Sequence, residues 1–193
     1  LAAPWSQTIL GGLTDSSPAV TEPDGAVASV TIGGYGPGVS YYSESGQFVY
    51  RTLTGDGVLT AYLPIGYPAD DAARVALMAR ASTAGNAVMA AAVGSTHPGS
   101  GSRFQLRATA GSLSSLQPAA ATPYKLPRWL RLSRSGAVFA AETSDDGVAW
   151  TPLGLAELPA MPAAALWGLC HSSSDWSDAT LGNYHFAQAR NMT

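Results

Sequence analysis

The sequence predicts an all-β chain built as a two-sheet antiparallel sandwich of the jelly-roll type, and three observations carry that expectation. About a dozen short runs of alternating or continuous apolar residues are regularly spaced and divided by clusters of Gly, Pro, Asp and Ser. No stretch sustains the period of an amphipathic helix. The third observation is Pro127 to Gly154, PRWLRLSRSGAVFAAETSDDGVAWTPLG, which reads as an antiparallel meander. Trp129 to Ser133 and Ala137 to Thr143 each alternate bulky and polar residues on either side of the break at Ser135-Gly136. Asp146-Gly147, the strongest short hairpin signal in the chain, then precedes a third strand from Val148 to Thr151.

From the N-terminus, Leu1 to Gly34 is rich in Gly, Pro, Ser and Thr, with apolar runs at Thr8 to Leu10 and Ala26 to Ile32. In the second run Ala28, Val30 and Ile32 alternate with Val27, Ser29 and Thr31, the pattern of a half-buried strand. Gly33 to Gly38 forces a loop, since glycine supplies positive φ and Pro37 cannot continue a ladder; no helix pattern or Lys-Ser/Thr pair follows to make it a phosphate cradle. Gln47 to Leu53 and Val58 to Leu63 flank Thr54-Gly55-Asp56-Gly57 and read as a hairpin. Ala72 to Ser82 and Asn86 to Val93 are alanine-rich enough to suggest helix, yet they also fit period two, and their all-β surroundings decide for strand. Gly94 to Ser102 is a polar loop, and Arg103 to Ala108 a strand with Phe104 and Leu106 on one face and Arg103, Gln105 and Arg107 on the other. Gly111 to Lys125 is a long loop with room for one short strand. Ala164 to Ser172 is a buried strand, Ser173 to Asp178 a loop carrying Trp176, and Thr180 to Gln188 closes the sheet.

At 193 residues the chain suits one domain over its whole length, with residues 1–34 as an N-terminal segment that forms an edge or exchanged strand. Charged residues are 12% of the sequence, against roughly 25% in ordinary globular domains, so the surface must be built from Ser, Thr, Gly, Ala and Asn. A net charge of -3 and a single lysine, Lys125, leave no basic patch for a nucleic-acid backbone. No apolar run approaches the roughly 20 residues that span a bilayer. A start at Leu1 rather than Met fits a processed protein or a fragment. Cys170, the one cysteine, forms no internal disulfide and is expected as a buried apolar thiol.

A series of motifs also carries a family resemblance. Tyr50 to Gly57 (YRTLTGDG), Ala76 to Arg80 (ALMAR), Phe104 to Arg107 (FQLR), Pro127 to Gly136 (PRWLRLSRSG), Ser144 to Gly147 with Trp150-Thr151, and Trp167-Gly168-Leu169 follow in this order. Together they resemble the bacterial concanavalin A-like, LamG-like sandwich domains of the DUF1349-type group, over roughly Trp5 to Ala187. The resemblance implies a concanavalin-like sandwich in an exported multidomain protein, beside glycan-active modules. The sequence departs where such domains carry an acidic residue shortly before the Phe-x-Tyr strand: Ser45-Gly46 stands there, with Glu44 adjacent.

Hydrolysis of a glycoside on such a scaffold needs two carboxylates, about 5 Å apart in retaining enzymes. Here there are four glutamates, Glu22, Glu44, Glu142 and Glu157, and no two of them alternate along one strand, so the chain is not expected to be an enzyme. His97, His171 and His185 lie in separate segments and signal neither a zinc site nor a catalytic triad. Ser144-Asp145-Asp146-Gly147-x-x-Trp150 is similar to the Asp-box of sialidases but one residue short, and reads as a turn. The parities place Arg80, Gln105, Arg107, Arg131 and Glu142 on polar strand faces expected to be neighbours in one sheet. Planar donors and a carboxylate suit sugar hydroxyls, and an exposed ring, Trp176 or Tyr62, suits stacking on a pyranose. The same residues also suit cross-strand Arg–Glu pairs that stabilise a sheet without a ligand. Trp129, Trp150 and Trp167 are expected in the core, and Trp5 and Trp176 on the surface.

Two functions follow. One is a non-catalytic, extracellular or cell-surface module for glycan binding or adhesion, with a polysaccharide as partner and neither cofactor nor metal. The other is a structural subunit of an extracellular assembly, a surface filament, adhesin stalk or virion component, in which Leu1 to Ser29 completes a neighbour's sheet by strand addition. Asn191-Met192-Thr193 has the form of a glycosylation acceptor.

Overall fold

Where Val, Ile, Leu or Phe occupies every second position, one strand face can be buried while the other stays wet, and the chain pairs edge to edge to satisfy its backbone. The computed structural model describes residues 4–11, 20–24, 27–34, 38–39, 42–64, 74–95, 101–118, 120, 122–172 and 185–192. Among them lie fifteen strands and no helix. In chain order these are β1 (Ser6–Leu10), β2 (Val20–Asp24), β3 (Val27–Gly34), β4 (Gly38–Val39) and β5 (Glu44–Thr54). β6 (Gly57–Leu63), β7 (Arg74–Arg80), β8 (Met89–Gly94), β9 (Arg103–Arg107) and β10 (Ser115–Gln117) follow. The last five are β11 (Arg128–Ser135), β12 (Val138–Ser144), β13 (Thr151–Glu157), β14 (Ala164–Ser172) and β15 (His185–Met192).

They form two sheets. The first runs β1-β5-β14-β7-β8-β9-β10, with β4 against β5; the second runs β13-β12-β11-β6-β15-β3-β2. The N-terminal segment supplies β1 at one edge of the first sheet and β2 at one edge of the second. Between the sheets lies the main core. Leu59, Ala61 and Leu63 of β6, Leu130 and Leu132 of β11 and Phe139 and Ala141 of β12 meet Leu77, Ala79, Ala90, Ala92, Phe104, Trp167 and Leu169 from the opposite sheet. Phe139 and Trp167 pack with ring centroids 6.0 Å apart. The alanine-rich segments are strands, β7 and β8 paired antiparallel from Val75–Gly94 to Arg80–Met89.

Three expectations are corrected. The pair flanking Gly55-Asp56 is no hairpin: β5 pairs with β1 and β14, β6 with β11 and β15, so the turn carries the chain from one sheet to the other. Asp146-Gly147 does not close a two-residue turn, and the third strand of the meander starts only at Thr151. The Asp146 carboxylate instead accepts from Val148 N (2.8 Å), Ala149 N (2.9 Å) and Ser144 Oγ (2.9 Å), which widens the loop and leaves Val148 exposed. Those backbone N–H groups, Val148 first and then Ala149, hold the Asp146 carboxyl below its ordinary range. Finally, the strand faces of Arg80, Gln105 and Arg107, expected to be polar, are buried on the outer side of the first sheet. Leu10, Phe48, Ala76, Met78, Met89, Ala91, Val93 and Cys170 form a second apolar cluster on its outer side.

Candidate functional site

The outer face of the first sheet holds the most concentrated charge in the described structure. Glu44, at the start of β5, receives both ends of Arg107, Nη2 to Oε1 at 2.6 Å and Nη1 to Oε2 at 2.7 Å, and Arg80 Nη1 to Oε2 at 2.6 Å. All three side chains are fully buried. Two cations face one carboxylate, and backbone carbonyls supply the remaining acceptors. Arg80 donates to the carbonyls of Ser82 (3.2 Å), Ala84 (2.5 Å) and Gly85 (3.2 Å), and Arg107 to those of Ser112 (2.9 Å) and Ala87 (3.1 Å). The β7–β8 loop is thereby strapped over the sheet. Gly85 allows the close approach: a Cβ there would lie 2.5 Å from Ser43 Oγ and 2.9 Å from the Glu44 carbonyl.

Arg80 and Arg107, expected to present guanidinium groups to a ligand, are therefore sealed and structural. The expected single row is also divided, because Arg80, Gln105 and Arg107 belong to the first sheet and Arg131 and Glu142 to the second. The acid that organises the buried group is Glu44, which stood beside the departure in the family pattern.

Tyr62, Arg131 and Glu142 come together on the outer face of the second sheet. Arg131 and Glu142 are directly opposed on β11 and β12, and Trp129 and Tyr62 on β11 and β6. Arg131 Nε and Nη2 both donate to Glu142 Oε2, each at 2.7 Å, with side chains 29% and 23% exposed. Arg131 Cζ sits 4.1 Å from the Trp150 ring centroid, and the Tyr62 and Trp129 rings are 5.5 Å apart, tilted by 55°. Trp129 and Trp150, expected in the core, are half-buried on this face, because their neighbours Leu130 and Thr151 place them on the outward parity. Trp167 is fully buried. Trp5, expected on the surface, is half-buried against the core with Arg51 5.3 Å from its ring.

Gln105 leads to a concave site. Beside the buried cluster, on the same outer side of the first sheet, Val39, Arg74, Val93, Gly101, Arg103, Gln105 and Leu116 line a cleft of about 100 Å³. Gln105 is buried, and its Nε2 donates to Ser114 Oγ at 2.9 Å. Arg74 Nη1 reaches Ser95 Oγ at 3.4 Å. Two guanidinium groups and a carboxamide thus share a wall with the apolar Val39, Val93 and Leu116. Arg103 was legible as a partner of Gln105, since the alternation of RFQLR puts both on one face; Arg74 shares the parity of Arg80. Val39 and Leu116 had no such signal.

Solved structures with a similar fold include a functionally unknown protein from Saccharomyces cerevisiae (TM-score 0.69, 16% identity, covering 97% of this chain and 92% of that one). A xylan β-1,4-xylosidase from Bacillus halodurans matches with TM-score 0.60 and 14% identity over 84% of this chain, which spans 32% of the xylosidase. The exoplasmic/lumenal domain of VIP36, in a Ca2+/Man3GlcNAc-bound form, matches with TM-score 0.54 and 10% identity over 96% of this chain and 82% of that domain. The fold is a concanavalin-like sandwich. At these identities the likeness is one of fold. No protein-family model matches the sequence, and no curated protein sequence matches it.

On this concanavalin-like frame the remaining groups fall into place. Cys170 lies in the second apolar cluster, and burial pushes its thiol up to about 12, with Arg80 opposing the shift and Glu44 adding to it. Among the described residues no three His, Cys, Asp or Glu side chains gather as metal ligands, and no helix is long and apolar enough to cross a membrane. Trp176, His97 and Thr193 lie outside the described residues, as do the side chains of His185 and Asn191.

Proposed function

We propose that the chain is a non-catalytic glycan-binding or adhesion module of the DUF1349-type group, working outside the cell or at its surface, and that it takes a saccharide in the cleft beside Gln105. The observation that carries this reading is the composition of the cleft wall: Arg74, Arg103 and Gln105 beside Val39, Val93 and Leu116. A pyranose has an apolar C–H face and a rim of hydroxyls, and a concave site that joins aliphatic side chains to a few planar hydrogen-bonding groups matches both. These groups bind and orient hydroxyls; none of them is the carboxylate pair that glycoside hydrolysis needs. The motif series quoted above supports the family and the exported setting. The VIP36 domain of the same fold is Man3GlcNAc-bound, which is consistent with a saccharide as the ligand class.

Titration calorimetry against a panel of oligosaccharides tests it. At least one glycan is expected to bind, and Arg103→Ala, at a half-buried position, is expected to weaken it about tenfold by removing a charge-assisted hydrogen bond. Absence of binding by any glycan in the panel, or binding unchanged by Arg103→Ala, overturns the cleft as the site.

A further inference from the structure

We propose that the outer face of the second sheet is a second, independent glycan site, a platform for a neutral saccharide chain. The geometry of the Arg131–Glu142 pair carries this. Both contacts from Arg131, Nε and Nη2, converge on Glu142 Oε2 at 2.7 Å. Among the described residues, Glu142 Oε1 and Arg131 Nη1 form no bond, so the pair keeps a free acceptor on the carboxylate and free N–H donors on the guanidinium edge turned away from it, on side chains 23% and 29% exposed. Hydroxyls spaced along a saccharide present the matching pattern: one donates to Glu142 Oε1 while another accepts from Arg131 Nη1.

The surroundings select the rest of the ligand. Trp150 holds the Arg131 guanidinium from one side at 4.1 Å, fixing the plane of the clamp. Directly across the β6–β11 ladder, Tyr62 and Trp129 add two half-buried rings 5.5 Å apart, surface against which the apolar face of a sugar ring gains contact. Among the described side chains the charges close on one another, Arg131 with Glu142 and Arg128 with Asp145 at 2.8 Å. A ligand carboxylate at the clamp would meet Glu142. The site lies on the opposite sheet from the cleft and does not depend on it.

The test uses the full chain carrying Arg103→Ala, so that the cleft is weakened, and follows tryptophan fluorescence and calorimetry with cellohexaose and, as an acidic control, hexagalacturonate. Cellohexaose is expected to bind and to perturb tryptophan emission. Adding Glu142→Ala is expected to weaken it on the order of tenfold or more, Glu142→Gln less because its amide oxygen still accepts, and Tyr62→Ala several-fold. Circular dichroism of each variant checks that the sheet is intact. The platform is refuted if the Arg103→Ala chain does not bind cellohexaose, if binding is indifferent to Glu142→Ala and Tyr62→Ala in folded protein, or if hexagalacturonate binds more tightly than cellohexaose.

Discussion

The two outer faces of this sandwich carry the same chemistry to opposite ends. Each has arginine paired with glutamate beside aromatic rings, yet on the first sheet Glu44, Arg80 and Arg107 are wholly buried under the β7–β8 loop, while on the second Arg131 and Glu142 stay about a quarter exposed. What separates them is the cover. The first face has an apolar cluster of its own, Phe48, Met78, Met89 and Cys170 among others, that draws the chain down over it. Once sealed, every donor must find an acceptor, and the loop carbonyls of Ser82, Ala84, Gly85 and Ala87 provide them. Residue type alone therefore does not mark a binding site here; accessibility does.

Removing the carboxylate from the sealed face is the strongest way to test that contrast. Glu44→Ala leaves two buried guanidinium groups without their counter-ion, and truncating one partner of a buried pair typically destabilises by about 3–5 kcal/mol. Chemical denaturation is expected to show a loss of that size, together with faster hydrogen exchange in residues 81–88, which the network holds down. A loss below about 1 kcal/mol would mean that water reaches the group and that the two faces are alike.

Cys170 probes the same sealed face by pH. An unfolded thiol titrates near 9.0, whereas the folded one keeps its proton until about 12. The stabilisation from the buried neutral thiol is thus fully present below the unfolded value and is lost as pH rises through the folded one, a slope of about 1.4 kcal/mol per pH unit at most. Between pH 9 and 11 the wild type is expected to lose stability more steeply than Cys170→Ala, and in the native protein the thiol is expected to resist a disulfide reagent at pH 8. Rapid labelling without unfolding would show that the face opens.

The contrast between the faces was only partly legible in the sequence. β11 and β12 alternate cleanly, so their core residues Leu130, Leu132, Phe139 and Ala141 and their outward Arg131 and Glu142 follow from period two. β7 and β8, RVALMAR and MAAAVG, are apolar at both parities, the mark of a strand buried on both faces; that signal places Arg80 inside, and reading its polar type as exposure missed it. Arg107 had no such marker, since RFQLR alternates and its carboxylate partner, Glu44, lies 63 residues away. Nor could local spacing show that Gly55-Asp56 changes sheets, because a turn looks the same whether the strand after it pairs back or crosses over. Convergence of Arg74, Arg103, Gln105 and Val39 on one cleft is likewise a product of strand order.

On the open face the expected effects are smaller. Gly147 has φ +75°, and a Cβ there would lie 3.0 Å from the Trp129 ring. Gly147→Ala combines the left-handed backbone, about 1–2 kcal/mol for a residue with a Cβ, with displacement of the indole. A loss of that order, with a shift in tryptophan emission, is expected; an unchanged spectrum would show that Trp129 does not rest on the loop.

The smallest effect is the most informative counterpart to Glu44. Glu142→Ala cuts the Arg131 pair, but both groups can be hydrated where they stand, so the stability change is expected at about 0–1 kcal/mol. A double-mutant cycle with Arg131→Ala isolates the coupling from the packing of Arg131 on Trp150, which the arginine variant also removes. A coupling of at most a few tenths of a kcal/mol, shrinking in added salt, would show that the pair adds little to the stability of the sheet, leaving its retained donor and acceptor to be explained by what they bind. A coupling of several kcal/mol, on the scale of a buried pair, would make Arg131 and Glu142 a second structural clasp and leave the platform without a polar clamp to offer.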